Sequence, residues 1–310
     1  MGTPYITPAE LLNMPTGISW STIPGVRSSS ADAYSQQYEI CLRASAELDG
    51  FCLQPLRATV QEEELEGPDF RLAINPNGNA VFLTLQWPVI STINAAVCPS
   101  RSFPVAWQTI GAGNIRPRQK LTAAFQSVPF GQGGTGLNEI EIAPGWIGWS
   151  YGRSGTRALA IYVAGWPHAG ITSNVLAGAT TIDVDDVTGW VGYTGMISDG
   201  SSTESVIVTA ASATNPITVM TGDAVQAGPG TVTLAAPLQY AHSSGTNLSA
   251  LPWDLKWATA LYAASEALTR GATSTTVQQM PGRVTGGGTG AMESYVARAE
   301  KIAKPYRAVF

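Results

Sequence analysis

Helix signals occur only at the two ends of this chain, and roughly two hundred residues of strand-and-turn sequence lie between them. That layout predicts an α+β fold: a helical body made from the N- and C-terminal helices, carrying large antiparallel β insertions of sandwich or barrel type. At 310 residues the chain exceeds a single typical domain, so two or three folding units are expected. We read residues 1–55 with 250–310 as the body, 56–166 as a β-rich middle domain and 167–249 as an inserted small β domain.

The N-terminal signals are specific. Thr7 reads as a helix N-cap, Pro8 as the first helical position and Glu10 as the partner closing a capping box, with Ile6 stapled onto Leu11. Asn13, Pro15 and Gly17 end that helix after about two turns. A second helix is expected from about Ser30 to Leu48, on a stripe of Tyr34, Tyr38, Cys41, Leu42 and Leu48, with Gly50 as its stop and Ser45 as a polar interruption. At the far end Pro252 is placed to start a helix striped by Trp257, Leu261, Ala264 and Leu268 and closed by Arg270-Gly271. A last helix, about Ala291 to Ala303, presents Met292, Tyr295, Val296, Ala299 and Ile302 on one face and stops at Pro305.

Between these ends the period changes from helical to alternating. Phe70, Leu72 and Ile74 alternate toward Asn75-Pro76-Asn77-Gly78, and Val81, Leu83 and Leu85 alternate away, which spells a hairpin. Strands are expected at Val89–Val97, Ala106–Ile110, Leu121–Val128, Ile140–Ile142 and Leu159–Val163. From Gly165 onward the composition shifts to Thr, Ala, Gly and Val, and no Lys or Arg occurs in residues 167–249. The pairs Ile182/Val184, Val206/Val208, Ile217/Val219 and Val232/Leu234 mark short strands of an antiparallel barrel or sandwich.

Composition removes several functions. A net charge of −5 and a pI near 5.1 give no basic footprint for sequence-general nucleic-acid binding. Charged residues are only 13% and Trp numbers 9, so much of the surface is expected to be covered by neighbouring subunits. Cys41, Cys52 and Cys98 form no CxxC pair and suit buried thiols. The segment Met1 to Gly17 has no basic stretch followed by an apolar one, so no secretory signal is expected. The longest apolar run, Ala158 to Trp166, is too short for a membrane span, and no membrane contact is expected.

No motif demands catalysis or a cofactor. Gly131 to Gly136 matches GxGxxG, but Leu137 to Ile142 after it reads as a strand, whereas the pyrophosphate needs a helix N-terminus there. Gly286 to Gly290 lacks the Lys of a phosphate loop and reads as a hinge. His168 and His242 flank the inserted block and could meet at its base; a hydrogen-bonded pair, or no contact at all, is expected rather than a metal. Asp183, Asp185 and Asp186 lack calcium-loop spacing and read as a solvated strand end. Glu62, Glu63, Glu64 and Glu66 read as a solvated face or a guarded strand edge, against paired acids of a sugar cleft. We therefore expect no enzyme, no cofactor and no metal site.

Several segments resemble the head-to-tail connector, or adaptor, proteins of tailed bacteriophages. They are Tyr5 to Leu12 with the helix after it, Trp87-Pro88-Val89-Ile90, Arg270-Gly271, and Lys304-Pro305-Tyr306-Arg307. The inserted block is similar to a β module recurrent in phage virion proteins, through Ala177 to Asp186, Asp199-Gly200, Glu204, Pro237-Leu238, Ala241-His242 and Gly245. The resemblance implies a homo-oligomeric ring of about twelve copies in the virion neck, assembled in the host cytoplasm. Such a ring docks on the portal protein, extends the channel for double-stranded DNA without sequence-specific binding, and receives a downstream tail or stopper protein. Compact members of that family are largely helical, so the long β interior is a departure. Pro305, Tyr306, Arg307, Val309, Phe310, Trp257 and Tyr295 are the expected partner or oligomer contacts, and removal of residues 305–310 is expected to abolish docking without disturbing the fold. The alternatives are a tail or surface carbohydrate-binding β protein, suggested by the Trp content, and a cell-wall hydrolase using Glu62 or Glu64.

Overall fold

A computed structural model describes residues 2–20, 30–54, 56–65, 70–75, 78–87, 89–98, 107–110, 114–117, 139–142, 157–200, 202–274 and 289–307. Its first helix, α1 (Pro8–Asn13), starts as the sequence dictates: the Glu10 amide donates to the Thr7 hydroxyl at 3.1 Å, and the Thr7 amide donates to the Glu10 carboxylate at 2.8 Å. This reciprocal bonding satisfies two amides that a helix start otherwise leaves orphaned, for about 1 kcal/mol. Ile6 and Leu11 are both sealed from solvent, as a hydrophobic staple requires.

Helix α2 (Ser30–Cys52) runs past the expected stop at Gly50. Leu53 ends it instead, taking a left-handed φ of 54°, because Leu48, Cys52 and Leu56 are all fully buried and draw the chain down into the core. The buried face also differs from the expected stripe. It consists of Ile40, Cys41, Ala44, Ser45, Leu48 and Cys52, while Tyr34 is exposed. Ser45, which interrupts the stripe, is there for a polar reason: its hydroxyl accepts from the Tyr5 amide at 3.0 Å and donates to the Cys41 carbonyl at 2.8 Å.

Helix α3 (Trp253–Thr269) is the centre of the body. Pro252 takes the cap position rather than the first helical one, and Gly271, at φ 91°, follows the Arg270 cap. Its residues from Leu255 to Ala267 are buried nearly all round, including Lys256, Thr259 and Ser265, because α2 and α4 (Thr289–Ala303) pack against it from different sides. A short 3-10 turn, Lys304–Tyr306, follows α4. Strands Ile18–Ser19 and Thr273–Ser274 pair antiparallel, stitching the N-terminal part of the body to the C-terminal part. The helices from both ends of the chain thus share one apolar core, which runs from Tyr5 and Ile6 through α2 and α3 to Ala299 and Ala303.

The middle of the chain forms two four-stranded antiparallel sheets. One has the order Thr59–Leu65, Arg157–Ala164, Val89–Cys98, Gln108–Ile110; the other has Phe70–Asn75, Gly78–Thr84, Glu139–Ile142, Ile115–Pro117. The expected hairpin is present, with Asn75 paired to Gly78. The expected strand Leu121–Val128 lies outside the described residues, as do Gly131 to Gly136 and the turn positions Pro76 and Asn77. Strand Arg157–Ala164 is buried on both faces, which explains its unbroken apolar run. Ala158, Ala160, Tyr162 and Ala164 join a core with residues of the second sheet, and Leu159 and Ile161 form a separate cluster with Val219 and Val225. The acidic stretch is an edge strand: Glu62 pairs with Ile161 and Glu64 with Leu159, and no strand continues the sheet beyond them among the described residues.

Residues 168–249 build a curled six-stranded antiparallel sheet in the order His168–Gly170, Asn247–Ser249, Thr194–Ser198, Thr203–Ala213, Gly230–Leu234, Thr181–Val184. Its two edge strands approach each other: Ile171 bridges Val184, and the Asp185 amide donates to the Gly170 carbonyl at 3.0 Å. The interior is filled by Trp190, Ile182, Val184, Ile197, Val208, Val232 and Leu248. Gly195 is required there, since a Cβ would stand 2.7 Å from the Trp190 ring. The pair Ile217/Val219 does not join this core. A two-stranded hairpin, Ile217–Thr218 with Ala224–Val225, reaches to the middle sheet, so Val219 is buried while Ile217 stays exposed.

Candidate interaction surface

Two places gather the side chains singled out by the sequence: the node where body, middle sheet and β module meet, and the end of the helical bundle where the chain finishes.

The node is built from crossings of the backbone. The chain leaves the body at Leu56–Ala58 and returns at Gly165–Pro167, and these stretches bond through the Ala58 amide to the Trp166 carbonyl at 2.8 Å and the Trp166 amide to the Leu56 carbonyl at 2.7 Å. Gly165 has φ 90°, and a Cβ there would lie 2.5 Å from the Arg57 carbonyl oxygen, so the crossing requires glycine. Arg57 then reaches the module, 3.2 Å from Asp185 and 3.2 Å from Asp186. Asp185 also accepts from the Gly170 amide and the Thr3 hydroxyl; Asp186 accepts from the amides of Thr188 and Gly228. These two acids are therefore not the solvated strand end expected of them. The module has no Lys or Arg, and one cation from outside contacts both. Asp183, in contrast, is exposed and bonds to Ser173 and Thr231.

His168 and His242 do not meet. His168 is buried at the node; its ring nitrogens contact the Ser249 hydroxyl at 2.9 Å and the Pro4 carbonyl at 2.9 Å. Burial, with Lys256 and Arg57 adding to it, holds the His168 imidazole well below its usual range, so the ring is neutral. His242 lies on the other side of the module between Glu204 at 2.7 Å and Asp199 at 3.1 Å, one carboxylate at each ring nitrogen. Glu204 also accepts from the Gln239 and Tyr240 amides. Asp199 accepts from the Ser202 amide across the turn, and the carbonyl of Gly200, next to Asp199, accepts from Asn13 of α1 at 2.9 Å.

The N-terminal residues lie across the node. The Pro4 carbonyl accepts from Asn247 as well as His168, and the Tyr5 hydroxyl donates to Asp49 at 2.6 Å. Burial pushes the Asp49 carboxyl up to about 6. Glu10 closes a nearly solvent-free ion pair with Lys256 at 2.8 Å.

At the bundle end, the last turn of α2, the first turns of α3 and the last turns of α4 converge. Tyr306 packs edge-on against Trp166 with ring centres 5.7 Å apart, and its carbonyl accepts from Gln54. Burial and the nearby Asp254 raise its phenol. The Arg307 guanidinium lies 5.4 Å from the centre of the Phe51 ring, and Arg298 lies 5.6 Å from that of Trp257. The Tyr295 hydroxyl donates to the Thr16 carbonyl. Of the expected contact residues, Trp257, Tyr295, Tyr306 and Arg307 thus hold the chain's own body together; Pro305 and Arg307 are exposed, and Val309 and Phe310 lie outside the described residues. Removing residues 305–310 would strip Tyr306 from Trp166, so that deletion is not neutral to the fold.

Three of the acidic-run carboxylates are occupied inside the structure. Glu62 accepts from the Met220 amide, Glu63 from the Gln86 amide and the Tyr162 hydroxyl, and Glu64 pairs with Arg157. Glu66 lies outside the described residues. Cys41 and Cys52 are buried free thiols. Among the described residues Trp20, Trp166 and Trp190 are buried, Trp87, Trp107 and Trp257 are half-buried and Trp253 is exposed. Among the described residues no three His, Cys, Asp or Glu side chains are grouped to hold a metal, and no helix is long and apolar enough to cross a membrane. No protein-family model and no curated protein matches the chain.

Proposed function

We propose that this chain is a head-to-tail adaptor of a tailed-phage particle. In this reading about twelve copies form a ring in the virion neck, dock on the portal protein, carry the double-stranded DNA channel onward and receive the downstream tail or stopper protein. The observation that supports it best is the closing of the body. Helices from the two chain ends share one core and are stitched by the pairing of Ile18 with Ser274. A long β interior can then be inserted without interrupting the helical part that does the docking. The node ties that interior to the body through Arg57, His168 and the N-terminal segment, which suits a part bearing load along a tail.

Charge placement supports the same reading. A channel wall that lets DNA pass must not hold its phosphates by releasing counterions. The basic side chains of α4 belong on this argument to a protein contact, and the DNA-facing surface lies elsewhere on the chain.

The test is the copy number of this chain relative to the portal protein in purified particles, measured by quantitative mass spectrometry. A ratio near one supports the adaptor ring. A large excess means tube or shell decoration, and absence from the particle rejects a virion role.

A further inference from the structure

Residues 2–5 form a strap across the root of the β module, with no helix or strand of their own. The Thr3 hydroxyl donates to Asp185, the Pro4 carbonyl accepts from His168 and from Asn247 at 2.9 Å each, and the Tyr5 amide donates to the Ser45 hydroxyl at 3.0 Å. Each of these bonds has a side chain at one end. A segment held in this way can open without breaking a helix or a sheet ladder. Its far limit is set by the body: Ile6 is fully buried with Leu11, and Thr7 is tied into the capping box.

His168 is the group that the strap seals. Its ring lies edge-on to Tyr5 with centres 5.5 Å apart and is buried. The hydrogen bonds around it admit one ring proton. Nε2 donates to the Pro4 carbonyl, and Nδ1 accepts from the Ser249 hydroxyl, whose oxygen in turn accepts from the Leu251 amide at 3.2 Å. A second proton would occupy Nδ1 and displace that donor. Its charge would also enter a closed site where Lys256 of α3 and Arg57 of the crossing already act on the ring. The neighbouring carboxylates are engaged elsewhere: Glu10 with Lys256, Asp185 and Asp186 with Arg57, and Asp49 of α2 with the Tyr5 hydroxyl at 2.6 Å. Releasing the strap removes the Pro4 carbonyl and the Tyr5 ring from His168 and opens the imidazole to water, where the second proton is tolerated.

We propose that His168 is an acid-sensitive catch for this strap: when the ring takes a second proton, residues 2–5 leave the root of the β module while the Thr7 cap and the Ile6–Leu11 staple stay in place. The device belongs to the folded chain and does not depend on the adaptor reading. Asp49 titrates in the opposite sense, because burial holds its carboxyl up to about 6 and its contact with Tyr5 is weakened as pH rises through that value. Asp49→Asn removes this opposing contribution and keeps an acceptor for the Tyr5 hydroxyl.

The Tyr5 amide reports on the strap, and its hydrogen-exchange protection factor, followed by NMR between pH 7 and 4 in the full chain, tests the proposal. In D49N the factor should hold above about pH 6.5 and fall below it, by about tenfold or more at pH 4 and by no more than about tenfold per pH unit, the slope of one linked proton. Strand amides of the module core should keep their protection over the same range. Adding H168Q, whose side-chain amide can still donate to the Pro4 carbonyl, should flatten the profile. A Tyr5 amide indifferent to pH in D49N, a fall shared equally by the module core, or a fall that persists with H168Q overturns the proposal. Should Gln not fit at position 168, the D49N profile decides by itself. The particle copy number would still decide the adaptor reading separately.

Discussion

The Nε2 atom of His168 lies 2.9 Å from the carbonyl oxygen of Pro4, tying the first residues of the chain to the root of the β module. A carbonyl only accepts, so Nε2 carries the hydrogen and Nδ1 accepts from the Ser249 hydroxyl, which itself accepts from the Leu251 amide at 3.2 Å. The neutral ring thereby joins three segments far apart in sequence.

Replacing His168 by Phe should cost about 1–3 kcal/mol, the penalty for leaving a buried partner unsatisfied. It should also change the pH dependence. Because the folded-state pKa is depressed below 6.5, the unfolded chain takes up the proton first; His168 contributes its stability above about pH 6.5, and that stability falls progressively at lower pH. Denaturant melts of both proteins between pH 4 and 8 check this: the difference between them should shrink toward acid.

Asp49 works in the opposite direction. Its carboxyl is raised from 3.8 to about 6 by burial, so the stability linked to it is complete below about pH 4 and is lost as pH rises through 6. At pH 7 the cost is at most on the order of 3 kcal/mol. Asp49→Asn can still accept from the Tyr5 hydroxyl and should raise stability at pH 7 while leaving it unchanged near pH 4. Equal effects at both pH values would show that the carboxyl is not perturbed.

Lys256 and Glu10 form a pair with side chains only 6% and 5% exposed. Lys256→Met leaves a buried carboxylate without its partner and should cost about 3–5 kcal/mol. The double change Glu10→Gln/Lys256→Met should recover most of that loss, because Gln keeps the capping box with Thr7. Chemical denaturation of the two single variants and the double variant gives the coupling directly.

Gly50 sits inside α2, and a Cβ there would meet nothing within 4 Å. Gly50→Ala should stabilise the protein by about 0.5–1 kcal/mol, since the helix loses the flexibility of glycine without a clash. A drop in melting temperature would mean that the helix bends at this point.

Much of the architecture was legible in the sequence because it depends on neighbouring residues. The capping box of Thr7 and Glu10, the hairpin joining Asn75 to Gly78 and the strand pairs Ile182/Val184 and Val232/Leu234 are all local patterns. The boundaries that shifted are those where the core outweighed a local preference. Gly50 yielded to Leu53 because Cys52 and Leu56 are drawn inward, and Tyr34 left the helix stripe because Ile40 and Ala44 filled it. Among the described residues, Trp20, Trp166 and Trp190 are buried in the chain's own cores and Trp87, Trp107 and Trp257 pack partly against them, so the Trp content need not mark covered subunit surfaces.

The node could not be read at all. Arg57 with Asp185, His168 with Pro4 and Lys256 with Glu10 are separated by between 128 and 246 positions, and nothing in the spacing of such residues says that they meet. The sequence by itself determined the element types, the helical ends and β interior, and the absence of Lys and Arg from residues 167–249. Only the tertiary structure decided which outside cation answers that absence, which histidine is held neutral, and that the basic residues after Arg298 gather at one end of the bundle. The reason is physical: backbone period and turn chemistry act over a few residues, whereas buried charges and hydrogen bonds are satisfied by whatever the folded chain brings within about 3 Å.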